Sequence, residues 1–115
     1  MKYLLMIYSN EKAYAALSPE DAKRGYEAYM AYTEALKKAG AHVAGERLQS
    51  TSTATTVRTT NGKAQVLNGP YSETKEQFGG FYMIDVPDLD AALAWAARCP
   101  AAQHGIVEVR PLWVY

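Results

Sequence analysis

The stretch Tyr3–Tyr8 reads YLLMIY and is apolar on both faces of any strand it forms. Side chains alternate along a strand, so Tyr3, Leu5 and Ile7 point one way and Leu4, Met6 and Tyr8 the other. A strand that is apolar on both sides needs a layer above it and another below. The rest of the chain offers two long helical patterns for that task. The first opens at Ser18-Pro19-Glu20-Asp21, where Ser18 caps, Pro19 fits the first helical position and the acids suit the positive end of the dipole. It runs to about Ala39, with Lys37 and Lys38 in the last turn and Gly40 as the stop. Ala22, Tyr26, Tyr29, Met30, Thr33 and Leu36 recur at helical spacing and are expected to face the sheet. Gly25 costs such a helix about 1 kcal/mol relative to Ala, which suggests a close contact there. The second helix is capped by Asp88 and runs to about Arg98, with Pro100 ending it. Its expected inward stripe is Leu89, Ala92, Leu93, Ala96 and Cys99, with Trp95 at the margin.

Further strands are expected at His42–Leu48, Phe78–Val86 and Ile106–Val109. Ala54–Thr60 and Lys63–Leu67 flank Asn61-Gly62, a strong hairpin signal. The whole Thr/Ser-rich piece Ser50–Thr60 reads as a β segment, because Thr is β-branched. The order strand, helix, strands, helix, strand predicts an α+β fold. It is a ferredoxin-like sheet with two main helices on one face, elaborated by a hairpin. Two helices cover one face only. The other would expose Leu, Met, Ile and Tyr over more than the few hundred Å² usual for a monomer. A homodimer that pairs the open faces, sheet to sheet, is therefore expected.

The 115 residues suit one domain, 1–115, and 49% apolar residues can build its core without a metal or disulfide staple. Lys+Arg and Asp+Glu number 12 each, so no basic surplus points to nucleic acid. No stretch approaches the roughly 20 apolar residues of a membrane span. The opening MKYLLMIYSNEK is too short for a secretory leader and reads as a strand. Cys99 is the one cysteine, which excludes an intrachain disulfide and fits the cytoplasm. It reads as a small core residue, since no His–Cys arrangement accompanies it. His42 and His104 lack the companions of a metal site, and no phosphate loop, dinucleotide fingerprint or serine elbow is present. No metal or cofactor is expected.

Chemistry concentrates between Asn68 and Asp90, NGPYSETKEQFGGFYMIDVPDLD. Asn68-Gly69-Pro70 marks a turn. Glu73, Lys75 and Glu76 follow, then Gly79-Gly80, where a backbone or ligand can approach closely. Glu73 and Glu76 are candidate general acids or bases, and Lys75 a candidate anion holder. The plainer reading is a solvated Glu–Lys pair on a turn, which contributes little. His104, beside the last strand, is a third catalytic candidate, or a surface residue at a helix–strand junction. Glu46 and Arg58 are candidate ligand contacts, or a cross-strand ion pair. Tyr71 and Tyr82 either line an aromatic pocket or fill core. Asp85, Asp88 and Asp90 read as strand end, helix cap and first turn.

The same stretch resembles the signature of the DGPF-domain proteins of the YCII-related family, with Asn68 for the usual Asp and Tyr71 for the usual Phe. The likeness extends from Lys2-Tyr3 through Ala44-Gly45-Glu46 and Thr53–Arg58 to Val107–Leu112. It implies a dimeric α/β barrel. Other members carry a His–Asp pair proposed as catalytic, with the His in the first helix. This chain has no His before His42, so that role is not carried over. With the residues above, the resemblance implies a small-molecule-binding protein. The chemistry would be cofactor-independent acid–base catalysis on a small anionic or aromatic metabolite. The alternative it implies is a non-catalytic binding or regulatory module linked to extracytoplasmic-function sigma factors. The ligand contacts expected are Glu46, Arg58, Asn68, Tyr71, Lys75, Gly79, Gly80 and Tyr82. Asn68 itself is expected to stabilise the turn by accepting a hydrogen bond from Ser72, Glu73 or another nearby amide, because Pro70 has none to give.

Overall fold

The computed structural model describes residues 1–115. Its elements are β1 (Lys2–Ser9), α1 (Glu11–Ala15), α2 (Pro19–Lys38), β2 (His42–Arg47), β3 (Thr55–Thr60), β4 (Lys63–Asn68), β5 (Gln77–Asp85), α3 (Leu89–Arg98) and β6 (Ile106–Pro111), with 3₁₀ turns at Thr51–Thr53 and Pro100–Gln103. Four strands form one antiparallel sheet in the order β2-β5-β1-β6, which is the ferredoxin-like order. β3 and β4 form a separate two-stranded hairpin, turning at Asn61 and Gly62, both at positive φ.

The two faces of β1 meet different fates. Tyr3, Leu5 and Ile7 are buried under the helices together with Tyr82 and Ile84 of β5. From α2 come Tyr32 and Leu36, and from α3 Ala92 and Ala96, with Cys99 just beyond it. On the far face Leu4 pairs with Met83 and Met6 with Phe81, all half-buried and with no layer over them. The molecule is consequently thin, 47 × 45 × 19 Å. Its radius of gyration is 16.1 Å, against about 13 Å for a compact chain of this length. Only 14 of the 115 residues are buried, so much of the apolar content has no cover within one chain.

Several expectations are corrected here. Tyr26 and Met30 of α2 are exposed, and the inward row runs through Tyr29, Tyr32, Thr33 and Leu36. Tyr32 earns its burial with a 2.7 Å hydrogen bond from its hydroxyl to the Trp95 carbonyl. Leu89 and Leu93 of α3 are also exposed, because three alanines and Cys99 let that helix lie close to the sheet. The Cβ of an alanine at Gly25 would meet nothing within 4 Å, so no close contact explains that glycine. Ser50–Thr60 is not one β segment. Thr53 donates its hydroxyl to the Ser50 carbonyl at 2.7 Å, and the Ser50 side chain accepts from the Ser52 amide, so these short polar side chains wind a 3₁₀ turn first. Helix α1, which the hydrophobic pattern did not suggest, is capped by Asn10 accepting from the Ala13 amide.

Candidate functional site

A cavity of about 500 Å³ opens on the far face of the sheet. Met6 and Tyr8 of β1 and Phe78 of β5 form its floor. The rings of Tyr8 and Phe78 lie 5.5 Å apart at 48°. One wall is the stretch after β2, Leu48 to Ala54; the other is the motif loop, through Pro70, Tyr71, Ser72, Thr74 and Gln77. The floor depends on a bulge. Ile7 pairs with Gly80 but Tyr8 with Phe78, so Gly79 is the extra residue and its carbonyl accepts from the Leu48 amide at 2.9 Å. Such an insertion re-aims the side chains next to it, here setting the Phe78 ring beside Tyr8. Gly80 lies under the backbone of β2, where a Cβ would come within 2.8 Å of the Glu46 carbonyl oxygen.

Polar side chains tie the walls together. Glu11, at the start of α1, accepts from the Thr51 amide and the Thr51 hydroxyl, each at 2.8 Å. The Glu11 amide donates to Gln77 Oε1 at 3.0 Å, and Gln77 Nε2 donates to the Thr74 carbonyl at 2.6 Å. The Thr74 hydroxyl in turn donates to the Glu76 carbonyl. This belt fixes three segments far apart in sequence around one opening.

Of the residues singled out by sequence, Tyr71 lines the cavity. Gly79 and Gly80 shape its floor without lining it. Glu73 and Lys75 are exposed and Glu76 half-buried; none lines the cavity or joins an ion pair. His104 is exposed after the second 3₁₀ turn. Glu46 sits opposite Phe81 in the sheet and Arg58 opposite Gln65 in the hairpin, so the structure does not bring them together as an ion pair. Tyr82 lies on the helix side, its hydroxyl 2.8 Å from Thr33 Oγ1 and its ring packed on Gly45. Burial pushes the Tyr82 hydroxyl pKa up, and does the same to Tyr29 and Tyr32. Burial also raises the Cys99 thiol pKa.

The Asn68 side chain makes no hydrogen bond of its own, contrary to its expected turn role. Gly69, at φ 108°, makes the turn; its amide donates to the Ala54 carbonyl at 2.7 Å and its carbonyl accepts from the Thr56 hydroxyl at 2.8 Å. Sequence reading missed Glu11, Thr51 and Gln77. The Asn10-Glu11 cap signal and the Gln within the motif were the available clues.

The model of the YCII-related domain matches residues 1–115. This chain belongs to the YCII-related family. An uncharacterised protein of Rhizobium meliloti (strain 1021) is 38% identical over 117 residues, covering 100% of this chain and 94% of that one. Among solved structures, this YCII-related chain is similar to 5-chloro-2-hydroxyhydroquinone dehydrochlorinase (TftG) from Burkholderia phenoliruptrix AC1100, in complex with 2,5-dihydroxybenzoquinone. The TM-score is 0.56 at 16% identity, covering 98% of this chain and 94% of TftG, so the likeness speaks for the fold. No group of three His, Cys, Asp or Glu side chains in the YCII-related chain is placed to hold a metal ion, and no helix is long and apolar enough to cross a membrane.

Proposed function

We propose that this YCII-related protein binds a small, partly aromatic molecule in the cavity between the far face of its sheet and the motif loop. One observation carries the reading: a volume of about 500 Å³, within the range of small-molecule sites, floored by Tyr8 and Phe78 and rimmed by Tyr71. TftG, which has a similar fold, is described with a six-membered quinone in its structure. Binding is better supported than acid–base catalysis, because no carboxylate, histidine or lysine is among the 14 lining residues. The same fact favours the non-catalytic alternative, a binding or regulatory module. Its link to extracytoplasmic-function sigma factors rests on the resemblance alone.

The working unit in this proposal is a homodimer. Leu4, Met6, Phe81 and Met83 form an uncovered apolar face, and the cavity opens on that same face. A second copy seated there would cover the face and roof the cavity. The lone buried thiol fits a reducing compartment such as the cytoplasm.

Ligand-observed NMR against a fragment set of small aromatic compounds tests the reading. Fragments are expected to bind the parent protein and to be lost in Ser72→Trp, which fills the cavity from an exposed loop position. Binding unchanged in that variant, or no binding by any fragment, would overturn the proposal.

A further inference from the structure

Resting on the reading of the cavity as the ligand site, we infer that it selects a neutral, hydroxyl-bearing ring and discriminates against carboxylates. The argument is the direction of its hydrogen bonds. A hydroxyl has one hydrogen to give, and a carbonyl or carboxylate has none. Thr51 gives its hydrogen to the Glu11 carboxylate at 2.8 Å, Thr53 to the Ser50 carbonyl at 2.7 Å, and Thr74 to the Glu76 carbonyl. All three line the cavity, and each has only oxygen lone pairs left for a ligand. Gln77 is engaged at both ends, accepting from the Glu11 amide and donating one amide hydrogen to the Thr74 carbonyl, with the second hydrogen left over. The three threonine hydroxyls therefore accept hydrogen bonds from a ligand and cannot donate them.

An anion needs the opposite: donors, and a positive charge nearby. No Lys, Arg or His lines the cavity. The charged group held against its wall is the Glu11 carboxylate, directly behind Thr51, and its field repels a second carboxylate. Arg47 lines a neighbouring depression, with its guanidinium 5.0 Å from the centre of the Tyr14 ring. Tyr8, Tyr71, Ser72, Gln49 and the second amide hydrogen of Gln77 keep donors but carry no charge. A ligand hydroxyl suits both sets, donating to the threonines and accepting from the others, while its ring meets Tyr8 and Phe78.

Three meta-substituted benzenes decide the matter: resorcinol, its ether 1,3-dimethoxybenzene, which has no donor, and 3-hydroxybenzoate, in which a carboxylate replaces one hydroxyl. Amide chemical-shift titration of the parent protein at pH 7 is expected to give resorcinol an affinity about fivefold or more above each of the others, the scale of one lost hydrogen bond. Its shifts should centre on Thr51 and Thr74. Thr51→Val should abolish the preference over the ether and Thr51→Ser should keep it, since the Thr51 amide bond to Glu11 is retained in both. Equal or tighter binding of 3-hydroxybenzoate, or of the ether, overturns the selectivity and leaves the cavity reading standing. No binding by any of the three overturns both. Should Thr51→Val fail to fold, the three-probe comparison on the parent protein remains decisive.

Discussion

Single glycines carry opposite instructions in this chain. Gly25 lies inside α2 with open space where a Cβ would go, so it costs helix propensity and gains nothing within the protomer. Gly25→Ala is expected to raise stability by about 0.5–1 kcal/mol in urea melting. Gly105 enters β6 against the backbone of β1, where a Cβ would run into the Tyr8 carbonyl oxygen. Gly105→Ala should lower stability by about 1–3 kcal/mol, the usual cost of forcing a packed backbone apart. Equal effects of the two substitutions would show that neither environment is as described. Asn68 is a third case. Its side chain is exposed at the end of β4 and the turn is held by Gly69, Ala54 and Thr56. Asn68→Asp and Asn68→Ala should each stay within about 0.5 kcal/mol of the parent. A larger loss for Asn68→Ala would restore the turn-stabilising role.

At the scale of elements, α2 packs on β5 through tyrosines whose hydroxyls are held out of water. Tyr32 and Tyr82 meet edge to face at 5.2 Å, and the Tyr82 hydroxyl bridges to Thr33. Burial raises Tyr29, Tyr32 and Tyr82 above the ordinary value of 10.0. A raised acid pKa in the folded state means the stabilisation is fully present below pH 10 and is lost as pH climbs from there toward the folded values. Absorbance titration is therefore expected to show these three of the nine tyrosines ionising together with loss of helical signal. Ionisation of all nine in one step near pH 10, with the fold intact, would contradict the packing. The elements themselves were largely legible. Capping at Ser18 and Asp88, the Asn61-Gly62 turn and the alternation of β1 are local signals. The inward rows of the helices were less so, because alanines and Cys99 set how near α3 lies and that choice exposes Leu89 and Leu93. The site was legible only as a region. The motif marked the loop, yet its charges stay out of the cavity while Glu11, Thr51 and Gln77 close it through contacts 40 to 66 residues apart.

The whole molecule is a slab with one finished face. Tyr3, Leu5 and Ile7 meet helices; Leu4 and Met6 have no layer over them, and the projecting hairpin residues Val57 and Val66 are 62% and 65% exposed. The homodimer proposed above would be of the obligate kind, burying more than about 2,000 Å² in total. Sedimentation equilibrium at micromolar concentration should give twice the chain mass of 12.7 kDa, and Met83→Lys on the open face should shift it to the monomer. A folded monomer in the parent protein would remove the proposed roof from the cavity. The central claim, that this cavity is the ligand site, is tested most directly by a crystal structure of the protein soaked with resorcinol. The account predicts the ring against Tyr8 and Phe78 with a hydroxyl on Thr51 Oγ1. A ring found instead on the helix side beside Tyr29 and Tyr82, or at His104, would contradict it.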